Sequence, residues 1–356
     1  MVQSVISEVE NRKNIVVYPH VSTFSGGPEA AGRPWHADKF VLGKPINAFA
    51  VTNENLKVER KLEGHYLYGG PLKMHFGHFI IDALPRLYAY DQSYDGVVFS
   101  CFQNEKFTPG FIFEFCELAG VPKEKVFFLR TSHLVQSLDF PFPGLRAGMM
   151  PESWYLKWLE KHFPPDSTIP EPFLFYGRTH LANKGSLIGE GYFSKMLQDN
   201  GFVYTRPEDS PSIRSQVAMI TRAKKIVFTE GSAIHGIDLC GSVGNSIFMI
   251  PRRPRGDLIF GPSISSRASF FYLGHSATIV RTVGRNGKNG PNSPSYCLNP
   301  DSIFSEMKAH DLVMGQFSLR DFLIFERREA EKYWEDTVVA EQELQKIQTM
   351  RAECFN

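Results

Sequence analysis

Cysteine is the first scarcity. The 356 residues contain five, Cys101, Cys116, Cys240, Cys297 and Cys354, widely separated and odd in number. That spacing excludes a disulfide framework and a thiolate metal site, and it fits the reduced core thiols of a cytosolic protein. An excess of charge is lacking as well. With 39 basic and 38 acidic residues the formal net charge is +1, which gives no electrostatic footprint for nucleic acid. No uninterrupted apolar run approaches the ~18 residues of a membrane span. Residues 1–13 carry charges where an export signal needs an apolar centre. The expected setting is therefore the cytoplasm, with any membrane contact peripheral and at the inner face. Also missing are a Walker loop, Gly-x-Gly-x-x-Gly, His-Glu-x-x-His, a Cys/His cluster and an Asp-x-Asp. Neither a metal nor a resident cofactor is expected.

What is present is the composition of a globular chain, 42% hydrophobic and 22% charged, long enough for two domains. Pro164, Pro165, Pro170 and Pro172 mark 164–172 as a linker. It separates an N-terminal α/β domain, 1–163, from a Rossmann-like domain, 173–317. Residues 318–356 read as a C-terminal helix, apolar at first and then charged with alternating sign. In the first domain, strand-like runs at 15–18 and 48–52 lie among Gly- and Pro-containing loops. Phe79, Ile80, Ala83, Leu84 and Leu87 then recur at helical spacing, with Pro85 forcing a break near 81–84. Strands at 97–100, 126–129 and 134–140 alternate with helices at 111–119 and 151–162, which argues for a mostly parallel sheet. The second domain is more regular. It reads as strand 173–176, helix 186–200, strand 202–205, and helix 212–222 capped by Ser212. Strand 226–228 follows, then a small-residue turn into a helix through Cys240, and strand 246–250. Residues 284–294 are turn-formers throughout and read as a mobile loop.

Two constellations could carry chemistry. His78 and Asp82 are four apart on one helical face, with Arg86 a turn further. A carboxylate can hold a histidine as a base toward a hydroxyl nucleophile, although the same spacing also makes an ordinary surface ion pair. In the second domain, Gly231, Ser232 and Ala233 form the junction of a strand and a helix. Their N–H groups and the helix dipole make a seat for a phosphate. His235 sits in the first helical turn, where a neutral ring could donate to a phosphate or a sugar hydroxyl. Arg178 and Arg252 each follow a strand end, the edge of an open α/β sheet where ligands bind, and a guanidinium there can clamp a phosphate. Arg178 could equally cap a helix, and Glu190 within a helix reads as a solvent-facing polar residue.

These residues resemble glycosyltransferase family 61. The block His75-Phe-Gly-His78-Phe-Ile-Ile-Asp82-Ala-Leu-Pro-Arg86-Leu is similar to the family's Asn-x-x-His-x-x-x-(Asp/Glu)-x-Leu-Pro-Arg-Leu. Tyr176-Gly-Arg178 through Glu190 to Gly201-Phe202 resembles its Ser-Arg block. Gln216, Ala223 and Ile226 to His235 resemble its closing block. His75 replaces the family's Asn, and Glu230-Gly231-Ser232 replaces a frequent His-Gly-Ala. The resemblance implies a GT-B fold, two Rossmann-like domains facing across a cleft, with the last helix crossing back to the first. It implies a nucleotide-sugar donor bound by Arg178, Glu190, Gly231, Ser232, Ala233, His235 and Arg252. It also implies inversion at the anomeric carbon with Asp82 or His78 as base, and no obligatory metal. His75 and Arg86 would lie toward the acceptor, a glycan or lipid-linked saccharide of a bacterial surface polysaccharide such as a capsule. A non-catalytic carbohydrate- or nucleotide-binding scaffold and a sugar-nucleotide epimerase are the alternatives. Homo-oligomerisation through the charged last helix is left open.

Overall fold

A computed structural model describes residues 9–17, 58–101, 108–164, 173–290 and 292–355. The strand expected at 48–52, Tyr18 and most of the proline-rich segment lie outside them. The chain divides into two compact units, Met1–Pro164 and Pro165–Asn356, within that segment. Both are mixed α/β.

The first unit comprises β1 (Val9–Val17), β2 (Arg60–Leu72), β3 (Gly96–Cys101), α1 (Gly110–Leu118), β4 (Val126–Leu129), β5 (His133–Pro141) and α2 (Ser153–His162). Its sheet runs β1-β5-β2-β3-β4. β5, β2, β3 and β4 are parallel, and β1 is antiparallel to β5. β3 is buried at every position, which is why it reads as an unbroken apolar run. The 13-residue β2 was not among the expected strands, because Gly64, Gly69, Gly70 and Pro71 interrupt its apolar pattern. Two register shifts absorb the irregularity. The helical stretch after β2 does break where Pro85 requires. One α-turn, Phe76–His78, widens into a π-turn, Phe79–Ala83, and tightens to a 3-10 helix, Leu84–Ala89, with Pro85 in its first turn. Proline has no N–H to continue the α ladder, so the chain changes its winding there.

The second unit begins with β6 (Phe173–Tyr176), β7 (Leu187–Ile188), α3 (Glu190–Asp199), β8 (Val203–Thr205) and α4 (Ile213–Arg222). β9 (Lys225–Thr229), β10 (Ser246–Ile250), α5 (Asp257–Ser265) and β11 (Ser269–Tyr272) follow. β12 (Ile279–Arg281), β13 (Ser295–Cys297), α6 (Pro300–Ala309), α7 (Leu319–Trp334) and α8 (Thr337–Phe355) complete it. The main sheet, β8-β6-β9-β10-β11, is parallel throughout. Its order along the chain, second-first-third-fourth-fifth, is that of a doubly wound sheet, with the winding reversing between β6 and β9. Phe175, Val227 and Phe248 face a core shared with Phe193 and Leu197 of α3, Phe304 of α6 and Phe322 of α7. By strand alternation Tyr176 and Phe228, stacked at 4.9 Å, face the other way.

Three expectations need correction. The helix expected from residue 186 starts at Glu190, because Leu187–Ile188 pair with β13 in a small third sheet, β12-β13-β7, and Gly189 adopts a left-handed φ of 94°. The helix expected after Ala233 is a 3-10 helix, Ser232–Leu239. The C-terminal helix is two helices, α7 and α8, separated at Glu335 with φ 54°. Within its own unit α7 packs on α3, β7 and the 179–184 turn. Arg351 of α8 meets Glu326 of α7 through two bonds of 2.8 and 2.5 Å, with Glu326 buried.

Local geometry sets two expected outcomes. Ser212 Oγ accepts Ser215 N–H at 3.1 Å as the cap of α4, so Ser212→Ala should cost about 1 kcal/mol in urea unfolding. A Cβ on Gly189 would press into the Phe322 ring at 2.6 Å, on a backbone that itself penalises an L side chain by about 1–2 kcal/mol. Gly189→Ala should therefore destabilise more than Ser212→Ala. The reverse order would refute this account of the α3 start.

Candidate active site

The reversal point between β6 and β9 is where the second unit gathers its charged side chains. Arg178 leaves the end of β6 and is buried, 6% exposed. Its guanidinium lies on Gly231, just beyond β9, so closely that any Cβ there would collide with Nη1. A side chain at 231 would have to displace that guanidinium. Arg178 Nη2 donates to the Lys184 carbonyl at 3.1 Å, while Nε is buried without a hydrogen-bond partner among the described residues. A buried donor left unpaired at a strand end is a site for an incoming acceptor. Arg252, after β10, joins the cluster through Nε to the Glu230 carbonyl at 3.2 Å. Burial, then the neighbouring Arg178, lowers Arg252 to about 10, and burial lowers Arg178 despite Glu190 and Glu230 nearby.

Glu230, where the family often has histidine, is committed to the chain after β10. Its carboxylate accepts the N–H groups of Arg252 and Arg253 at 2.9 and 2.8 Å and pairs with the Arg253 side chain. Glu190 is fully buried rather than solvent-facing. It accepts the Arg178 backbone N–H, fixing the start of the turn that carries the guanidinium. Behind it, Glu329 of α7 accepts Gly189 and Gly191 N–H at 2.8 and 2.6 Å, satisfying orphan donors at the start of α3. Burial raises Glu190 to about 7, against the pull of the Arg178 N–H and Thr229. Burial and then the charge of Glu190 raise Glu329 to about 8.

His235 is placed differently. Its Nδ1 lies 2.7 Å from Asp238, whose other oxygen accepts Ser263 Oγ at 2.5 Å and faces Arg267 at 3.6 Å. Burial pushes Asp238 upward, but the His235 hydrogen bond and Arg267 hold it below the usual carboxylate range. Ser232 and Ala233 open the 3-10 helix beside Gly231.

In the first unit, His78 Nδ1 meets Asp82 Oδ2 at 3.0 Å with both side chains partly exposed. The His75 ring packs edge-on to His78, centroids 5.3 Å apart. Arg86 is buried and donates to the main-chain carbonyl of Asp82. This segment follows the end of β2, so it too lies at the carboxyl edge of a parallel sheet. Among the described residues no group of three or more His, Cys, Asp or Glu could hold a metal ion, and no helix is long and apolar enough to cross a membrane.

The sequence profile of the family described as Glycosyltransferase 61 matches residues 76–242. The match spans just under half of the chain and contains most of both clusters. This segment belongs to glycosyltransferase family 61. No curated protein matches the chain. His78, Asp82, Arg86, Arg178, Glu190, Gly231, Ser232, Ala233 and His235 all fall inside the family 61 segment. His75 and Arg252 lie just outside it. Glu329 and Arg253, which hold the second cluster together, also lie outside it, and Glu329 was not singled out from the sequence. Both act on main-chain or side-chain atoms far away along the chain, a relation that leaves no local pattern.

The Glu190–Glu329 pair sets a pH dependence. Both carboxyls titrate above the ordinary value of 4.5, so protonation favours the fold. That stabilisation is complete below about pH 4.5, the unfolded value, and is lost as pH rises through about 7 and 8. Urea unfolding between pH 6 and 9 should show wild type losing stability relative to Glu329→Gln as pH rises. Parallel curves would show that the pair does not titrate in this range.

Proposed function

We propose that the protein is an inverting, nucleotide-sugar-dependent glycosyltransferase of GT-B architecture that needs no metal. Residues 173–317 hold the donor and residues 1–163 the acceptor, a hydroxyl of a glycan or lipid-linked saccharide in bacterial cell-surface polysaccharide synthesis at the cytoplasmic side of the membrane. Family 61 membership supports glycosyl transfer. The observation that carries the donor assignment is Arg178, buried over Gly231 at the reversal of the parallel sheet with Nε unpaired among the described residues. A diphosphate is the acceptor group such a site fits, by charge and by position.

In this reading the Asp82 carboxylate holds the His78 Nδ1 proton, leaving Nε2 to take the proton of the acceptor hydroxyl. The hydroxyl oxygen attacks the anomeric carbon from the side opposite the diphosphate. The bond from that carbon to the diphosphate oxygen breaks, and the configuration inverts. Arg178, Arg252 and the N–H groups of Ser232 and Ala233 stabilise the negative charge that develops on the leaving group. His235, oriented by Asp238, reaches the donor as a hydrogen-bond donor. Glu190 holds Arg178 in place and does not touch the donor.

A panel of nucleotide sugars, read by release of nucleoside diphosphate, tests the reading. One donor should be slowly hydrolysed, and hydrolysis should accelerate with the correct acceptor. Arg178→Ala and Asp82→Asn should each reduce transfer about 100-fold or more with unchanged circular dichroism. Full turnover in either variant would remove that residue from the mechanism. A changed sugar still attached to its nucleotide would identify an epimerase, and no thermal shift with any nucleotide would leave a non-catalytic scaffold.

A further inference from the structure

The carboxyl behind Arg178 has no ion-paired cation among the described residues. Glu190 opens α3 with none of its surface exposed. One of its oxygens accepts the Arg178 backbone N–H, and the other is buried without a hydrogen-bond partner among the described residues. Little space is left around it, since a Cβ on Gly177 would stand 3.0 Å from Oε1. α7 closes the far side. There Glu329 accepts the N–H groups of Gly189 and Gly191 at 2.8 and 2.6 Å, and Lys332 is spent on the Thr179 carbonyl at 3.3 Å.

The groups that face Glu190 come from each element around it: Arg178 after β6, Tyr204 of β8, Thr229 of β9, Arg252 after β10 and Glu329 of α7. Two are cations set back from it, and one is a second carboxyl. A buried carboxylate without an ion pair is costly, and it escapes the cost by taking a proton. Burial accordingly holds Glu190 at about 7, poised between its two forms at neutral pH. Its charge acts on Arg178, the cation over which the diphosphate is placed. An ionised Glu190 draws on that cation and repels the ligand, whereas a protonated one does neither. Such coupling is reciprocal, so a ligand that prefers the protonated form must itself raise the affinity for the proton.

We propose that Glu190 takes up a proton from solvent when a nucleoside diphosphate binds over Arg178, so that donor affinity falls as pH rises through neutrality. The proton goes to the unpartnered carboxylate oxygen, and no bond to the ligand forms. Glu329, on the closed side, supplies no counter-charge that could replace the proton. The identity of the ligand rests on the donor reading above.

Calorimetry of the full-length protein with UDP, GDP and CDP at about pH 7.5, in two buffers of different ionisation heat, counts the protons. The nucleotide that binds should take up about half a proton or more, and its Kd should rise about fivefold between about pH 7 and 9. A terminal phosphate, with a second pKa of about 6, is already ionised in that range. Glu190→Gln keeps an acceptor for the Arg178 N–H but holds no proton, and it should show neither effect. If that variant does not fold, the wild type alone decides, since its infrared difference spectrum must gain a protonated-carboxyl C=O band on nucleotide binding. Binding without proton uptake, or with uptake undiminished in Glu190→Gln, would overturn the proposal and leave the donor reading standing. Absence of binding with all three nucleotides would sink the donor reading and the proposal with it, so the two failures are distinguishable.

Discussion

The close approach of the Arg178 guanidinium to Gly231 is the constraint on which the candidate site of the second unit depends. It lies at the ends of β6 and β9, which the parallel ladder pairs where the winding of the sheet reverses, and it buries a cation that water would otherwise solvate. A buried guanidinium is tolerated only with partners. Here they come from the Lys184 carbonyl and from the nearby charges of Glu190 and Glu230. Glu230 in turn is occupied by the main chain after β10. This carboxylate is what holds that third strand end against the other two.

The same constraint explains the C-terminal hairpin. α7 supplies Glu329 to the N–H groups at the start of α3 and Phe322 to the core beneath it. Within this charged region Glu329 is committed to the backbone of α3 and Glu326 to Arg351. Glu190, between Arg178 and Glu329, therefore links the helix pair to the cluster. With both carboxyls raised toward neutrality, the charge around Arg178 depends on pH through groups that a diphosphate would not touch.

The sheets were legible wherever strands are buried on both faces. Ile226 to Phe228 and Ser246 to Ile250 announce themselves because neither face needs a polar residue. β2 was hidden by its glycines, and β7 is two residues long, too short for any periodicity. The π and 3-10 winding at 79–89 was legible in outline, since Pro85 dictates a break, but the kind of winding depends on packing. The His78–Asp82 pair followed from helical spacing, and the 3.0 Å hydrogen bond now shows which histidine nitrogen is engaged. The burial of Glu190 and the commitment of Glu230 were not legible. Both depend on chain segments that meet only when the parallel sheet forms.

The central claim is that the reversal point between β6 and β9 binds a nucleoside diphosphate. Amide hydrogen exchange with and without UDP, GDP and CDP measures it most directly, since it needs neither acceptor nor turnover. The account predicts that one of these ligands protects 177–184 and 229–236 together, and that Arg178→Ala abolishes the protection while leaving the exchange of β9 and β10 unchanged. Protection confined to other segments, or undiminished in Arg178→Ala, would contradict it.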